Sequence, residues 1–178
     1  MERSLVLIKP DSIKKGIVGR IISRFEDTGL KIIAMKMLKI DEEQAKKHYI
    51  LDEAWAKNVF EKAKISSEKE NHPMKYKTPM EMGREIQKRS VDFVTEGPVI
   101  AMILEGPHAV EILRKMIGHT EPKQALPGTI RGDFSSIESY AVADAEQRAI
   151  RTLVHASDSV SSAEREIPLW FRKDEIMN

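Results

Sequence analysis

The chain contains no cysteine. Disulfides and thiolate zinc sites are therefore excluded, and the composition fits a reducing compartment. Net charge is nearly absent too, since 29 Lys and Arg stand against 28 Asp and Glu, leaving +1. No global basic field points to nucleic acid, although local clusters of Lys and Arg could still hold phosphates. Long apolar runs are missing. The N-terminal run Leu5-Val6-Leu7-Ile8 is closed by Lys9-Pro10, too short for a signal peptide, and no segment approaches a membrane span. There is no internal repeat or low-complexity tract, and neither G-x-x-x-x-G-K-[ST] nor G-x-G-x-x-G occurs. Neither a P-loop nor a dinucleotide-binding turn is supported. What remains is a chain of 178 residues, long enough for one domain with a sizeable core. It is expected to be soluble and cytoplasmic, with no membrane partner and no requirement for nucleic acid.

What is present alternates in period. Leu5–Ile8 reads as a buried strand by its length and β-branching, with Lys9 at its open end. Ile17, Val18, Ile21, Ile22 and Phe25 form a stripe that predicts an amphipathic helix ending near Gly29. Leu30–Leu38 predicts a second strand. Asp41, with Gln44 three residues on, predicts an N-cap and a short helix carrying His48 and Tyr49. Residues 50–96 depart from this rhythm. Helical segments around Asp52–Lys64 and from Thr78-Pro79 to about Phe93 flank a polar stretch, 62–77, that has neither period and is expected to be a solvated loop. No linker sets the region off, so it reads as a helical and loop insertion within a single domain, 1–178. Val99–Leu104 is the strongest strand signal. A helix over His108–Ile117, a Gly/Pro-punctuated loop over 118–134, an ambiguous segment 135–149 and a last strand into His155 follow. Four strands with helices in the crossovers predict the α+β class: a split βαβ sandwich, its mainly antiparallel sheet covered by helices.

The last strand carries the chemistry. Leu153 and Val154 deliver His155 to a small-residue turn, Ala156-Ser157-Asp158-Ser159, and Ser161 with Glu164 then has capping-box spacing, so a helix is expected to begin there. A neutral imidazole is a nucleophile near pH 7, and a helix N-terminus offers unpaired N–H groups and a positive dipole end. The combination suits a histidine that meets a phosphate, although for one such stretch alone an ordinary half-buried histidine is the commoner outcome. Phosphoryl transfer needs positioning and charge neutralisation, for which Lys9, Arg114, Thr120 and Arg131 are candidates. Each has a plainer alternative, a solvated charge or surface ion pair for the cations and a turn cap for Thr120. Arg131-Gly132-Asp133 also spells an adhesion tripeptide, which a cysteine-free chain without a secretory signal does not favour. On the residues alone the reading stops at an α+β domain with a candidate histidine–phosphate site.

Taken together, KPDSIKKGIVGRIISRFEDTGLKI, HYI, GPVIAMILEGPHAVEILRKMIGHTEP, PGTIRGDF and HASDSVSSAEREIPLWF, in that order, resemble the nucleoside diphosphate kinases. The likeness covers most of the chain outside 50–96 and 135–150 and includes the family's H-x-S-D signature. It implies a ferredoxin-like sandwich and an enzyme that moves the γ-phosphate of a nucleoside triphosphate such as ATP to a nucleoside diphosphate. The route is ping-pong, through a phosphohistidine. By the same resemblance His155 falls on the nucleophile, and Lys9, Tyr49, Arg114, Thr120 and Arg131 fall on phosphate-contacting positions. Glu166 falls on the carboxylate that orients the histidine ring, with Ser157 beside it. Mg²⁺ is implied as a passenger of the nucleotide, with no protein metal ligands, and a homo-oligomer is implied.

Three departures stand out. Thr152 lies three residues before the nucleophile, where the family usually has an Asn bonding the ribose and phosphate end of the nucleotide. Thr is shorter and has no amide donor, so a weaker or water-mediated contact is expected there. The family's base-stacking phenylalanine has no counterpart that can be aligned across 50–96. Trp55 and Phe60 are the aromatic candidates, each equally suited to helix packing, and the insertion is expected to enlarge or reshape the rim. The chain ends at Asn178, soon after Leu169-Trp170-Phe171, where hexameric members have a longer tail, so hexamer, tetramer and dimer stay open. A nucleotide-binding relative without efficient catalysis is the main alternative, favoured by Thr152 and the rim and opposed by Lys9, Arg114, Arg131 and His155. A histidine-dependent phosphohydrolase would need a base for its water, and the sequence offers no dedicated one.

Overall fold

In the computed structural model, which describes residues 1–70 and 74–177, two strands run through the middle. β1 (Glu2–Ile8) pairs antiparallel with β3 (Val99–Gly106) from Glu2↔Gly106 to Ile8↔Ile100. β2 (Lys31–Leu38) flanks β3 and the short β4 (Val154–Ala156) flanks β1, both antiparallel, giving the order β2-β3-β1-β4. That is the split βαβ topology.

The continuous apolar run of β1 has a simple cause: both faces of the strand are covered. Val6 and Ile8 pack with Ile21, Phe25, Leu113 and Ile117, whereas Leu5 and Leu7 pack with Val91, Val94, Ile103 and Trp170. On the first face lie α2 (Val18–Glu26) and α6 (Ala109–Ile117). On the second lie α3 (Glu42–His48), α5 (Pro79–Thr95) and the end of α9 (Val160–Trp170). The start signals read from sequence at Asp41 and Thr78 hold, since each side chain accepts an N–H three residues on.

Several boundaries differ from expectation. The polar stretch 62–77 is not all loop, because α4 (Glu53–Glu70) continues into it; residues 71–73 of that stretch lie outside the described residues. Lys, Glu and Ala are strong helix formers, and a helix packed on one neighbour needs little apolar period. The last helix starts two residues earlier than the capping box implied. Its cap is Ser159, which accepts the N–H of Ser162, and Ser161 lies inside the helix. Short helices also occupy Pro10–Lys14 (α1), Ile130–Phe134 (α7) and Tyr140–Ala145 (α8). Elements of five or six residues are too short to express a 3.6-residue period, so they leave no sequence signal of this kind.

Candidate functional site

β4 sits beside β1, with Leu7 opposite His155. The chain therefore leaves the sheet at Lys9 close to where it enters the sheet at Thr152. The Lys9 ammonium donates to the Thr152 hydroxyl at 2.8 Å and lies 5.2 Å from the centre of the Phe93 ring. Only 8% of Lys9 is exposed. Burial, followed by the nearby Arg131 and Arg151, pulls its pKa down to about 8, while Asp11 opposes the shift.

His155 stands half-buried in the middle of β4. Its Nε2 is 2.9 Å from Oε2 of Glu166 on α9. The two residues are eleven apart in sequence, and the turn capped by Ser159 brings α9 back over the strand. Glu166 is buried and also accepts from the Ser157 hydroxyl at 2.8 Å and from Arg165 at 3.1 Å. Ser157 in turn receives the Leu5 N–H at 3.2 Å, which ties it to β1. A carboxylate accepts only, so Nε2 carries the proton and Nδ1 keeps the lone pair.

A second histidine crowds the first. The His48 ring lies 4.6 Å from that of His155 at an interplanar angle of 82°. Burial holds the His48 pKa well below its ordinary value, and the neighbouring His155 adds to this. The indole N–H of Trp170 donates to His48 Nδ1 at 3.3 Å, which puts the His48 proton on Nε2. Donor atoms of His48, His155 and Glu166 fall within 4.8 Å of one another. A metal-bound histidine, however, gives its second N–H to an acceptor, whereas here Trp170 supplies a donor. That polarity suits a hydrogen-bonded cluster better than a metal centre.

Of the other residues proposed from sequence, Arg131 is buried, and all three guanidinium nitrogens donate to backbone carbonyls. Nε reaches Thr152 at 3.0 Å, and the two terminal nitrogens reach Gly118 and Val154, each at 2.8 Å. Each terminal nitrogen keeps one further N–H. Burial and the neighbouring Arg114 pull the Arg131 pKa down to about 10. Arg114 lines a cleft of about 460 Å³ together with Glu2, His108, Glu111, Asp158 and Ser159. Thr120 is exposed in the turn before Pro122. Tyr49 ends α3, and its hydroxyl is buried with no hydrogen-bond partner among the described residues. Burial, with Glu166 and Asp11 nearby, pushes its phenol well above the ordinary range.

Trp55 belongs to the α4–α5 packing. A Cβ at Gly83 of α5 would come within 3.3 Å of its ring and 2.8 Å of Leu51, so glycine permits the close approach of the two helices. Phe60 is partly exposed on α4. Lys9 and Arg151 both face an aromatic ring that the sequence reading passed over: Phe93, with Arg151 4.3 Å from its centre. Asp11, Ser12, His48 and Trp170 were also missed. Asp11 and Ser12 adjoin Lys9 in the K-P-D-S run and His48 adjoins Tyr49, and that adjacency is the signal that could have found them.

Known proteins give a consistent picture. Residues 2–74 and 66–176 match the family model described as nucleoside diphosphate kinase, the two stretches overlapping at 66–74. A nucleoside diphosphate kinase from Pyrobaculum aerophilum is 44% identical over 181 residues, covering 99% of this chain and 98% of that protein. One from Borreliella burgdorferi is 36% identical over 178 residues, covering 100% and 92%. The solved structure of an NDP kinase from P. aerophilum superposes with a TM-score of 0.93 at 42% identity, over 99% of each chain. A Borrelia burgdorferi nucleoside-diphosphate kinase, described as a transition state mimic with bound vanadate and ADP, superposes with a TM-score of 0.81 at 37% identity. It covers 99% of this chain and 90% of that one.

Proposed function

The chain belongs to the nucleoside diphosphate kinase family, and from that premise we propose how its own residues transfer the γ-phosphate of a nucleoside triphosphate to a nucleoside diphosphate. The observation that carries the reading is the 2.9 Å bond between His155 Nε2 and Glu166, because it leaves Nδ1 as the nucleophile. In the first half-reaction the Nδ1 lone pair attacks the γ-phosphorus in line, and the bond to the β–γ bridging oxygen breaks. The nucleoside diphosphate leaves, and His155 carries the phosphoryl group as an imidazolium whose Nε2–H is held by Glu166. In the second half-reaction a β-phosphate oxygen of another nucleoside diphosphate attacks the same phosphorus, and the N–P bond breaks. The vanadate and ADP named for the Borrelia relative support a phosphoryl group in transit at this cleft.

Lys9, Arg114 and the spare N–H groups of Arg131 offset charge on the moving group. Ser157 fixes Glu166. Tyr49 and Thr120 are assigned to the phosphates, and the unpartnered Tyr49 hydroxyl is a group that a ligand oxygen would satisfy. Thr152, occupied with Lys9, contributes a weaker nucleotide contact than an asparagine would. Mg²⁺ would arrive on the phosphate oxygens of the nucleotide and neutralise them there. The nearby carboxylates fit that assignment, since Glu166 is committed to His155, Ser157 and Arg165, and Asp11 to backbone N–H groups. Neither of these two carboxylates therefore offers a free oxygen to the ion.

We read the chain as one domain with 50–96 inserted, supported by Val91 and Val94 of α5 lying in the common core. A homo-oligomer is proposed because β2 is an edge strand with Met35 56% and Met37 59% exposed, an arrangement that proteins seldom leave uncovered. Among the described residues no helix is long and apolar enough to cross a membrane. Cytoplasmic residence is proposed on the cysteine-free composition. The test is incubation with γ-labelled ATP and Mg²⁺. An acid-labile phosphoenzyme, discharged by a nucleoside diphosphate and absent from His155→Ala, is expected. Phosphate release without a nucleoside diphosphate, or label retained in His155→Ala, would overturn the assignment.

A further inference from the structure

Leu153, two residues before the nucleophile, has φ +64°, a left-handed conformation that a side chain with a Cβ adopts at a cost. Glycine would relieve the strain, but the Leu153 side chain is fully buried in the core with Ile8, Ile21 and Leu113. The turn is tight, with the Val154 N–H reaching the Thr152 carbonyl at 2.6 Å, the i→i+2 closure of a γ-turn. Such a conformation persists only where its surroundings over-determine it. Here they do so through the segment that follows β1. The Leu153 N–H donates to Oδ2 of Asp11 at 3.0 Å. The Leu153 carbonyl accepts the Lys9 N–H at 2.8 Å and the Ser12 hydroxyl at 2.8 Å. The other Asp11 oxygen accepts the Ser12 N–H at 3.0 Å. Both backbone polar groups of the strained residue are therefore held by residues 9–12, all but Pro10 through hydrogen bonds, and Pro10 sets the first turn of α1.

We propose that Asp11 and Ser12 are positioning residues for the phosphotransfer, holding Leu153 in its left-handed turn so that Thr152 meets Lys9 and His155 meets Glu166. The inference rests on His155 being the nucleophile. Asp11 has a second effect through charge. The groups facing Lys9 are Arg131 from α7, Arg151 ahead of β4, His48 from α3, the Phe93 ring of α5 and Asp11. Asp11 is the anion of that set, and it raises the pKa of Lys9 against the pull of burial and the arginines. An asparagine at position 11 keeps the shape, but it removes the charge and turns an NH₂ toward one of two N–H donors.

Rapid-quench measurement of His155 phosphorylation by labelled ATP and Mg²⁺ in the full chain separates these effects. If the wild type forms no phosphoenzyme, the nucleophile assignment fails, and this inference falls with it. Given a wild-type phosphoenzyme, Asp11→Asn is expected to lower the rate constant at saturating ATP by roughly 10²-fold, the scale of an ångström-sized misplacement. The half-saturating ATP concentration should move far less, and the alkaline limb of the rate should shift to lower pH. Ser12→Ala keeps the charge, so its rate should fall by about 10-fold with the alkaline limb unmoved. Exchange of the Leu153 amide proton, read by NMR, should quicken in both variants. A folded Asp11→Asn protein that phosphorylates at the wild-type rate, or loses only ATP affinity, overturns the inference. Should that variant fail to fold, Ser12→Ala decides, and a wild-type rate with unchanged Leu153 exchange overturns it equally.

Discussion

Lys9 is charged at neutral pH by a narrow margin. Its pKa is lowered to about 8, so the ammonium is present below that value and is lost as pH rises through it. Phosphoenzyme formation is therefore expected to decline above about pH 8, and Lys9→Gln should lower the rate and abolish that limb. A pH–rate profile of the first half-reaction checks both, and a flat profile to pH 10 (about two units beyond) would show that Lys9 does not act as a cation. Thr152 tests the same corner from the other side. Thr152→Asn restores an amide donor and should lower the KM for nucleotide, and an unchanged KM would mean that this position makes no nucleotide contact. At this scale residue types were legible because the chemistry restricts them. A histidine before a helix start and a lysine at a strand end are what phosphate handling asks for. Which histidine nitrogen stays free was not legible, because that depends on Glu166 reaching Nε2.

Among the elements, α5 is tied to α8 across a long stretch of sequence. Arg89 is only 9% exposed and donates to Glu85 one turn earlier and to Asp144 of α8, each at 2.7 Å. Asp144 and Glu85 are partly solvated, so each bond counts for less than a fully buried one. Arg89→Ala should still cost about 1–2 kcal/mol through lost charge-assisted bonds and packing, measurable by urea denaturation. A change below about 0.5 kcal/mol would mean that α8 is held elsewhere. The 50–96 region was legible as helices with correct starts, because a Thr cap followed by Pro is a local signal. Its packing was not. Whether Trp55 lines the rim or fills the hairpin depends on the approach of Gly83, which a residue list does not contain.

For the whole molecule, the open β2 edge predicts assembly. Light scattering should report a mass above one chain, and Met37→Lys should shift it toward the monomer, because a charge on an exposed edge opposes edge-to-edge pairing. A monomeric wild type would remove the proposal.

By itself the sequence determined the strands and most helices, since hydrophobic period is set by which faces are buried. It also determined the candidate nucleophile and cations, since few residue types can do that chemistry. Only the tertiary structure decided what they touch. Asp11 and Leu153 are 142 residues apart and His155 and Glu166 are eleven apart, yet each pair is joined by one hydrogen bond. The reason is the strand order: placing β4 against β1 brings the K-P-D-S segment under the turn before His155, and sequence separation carries no record of that.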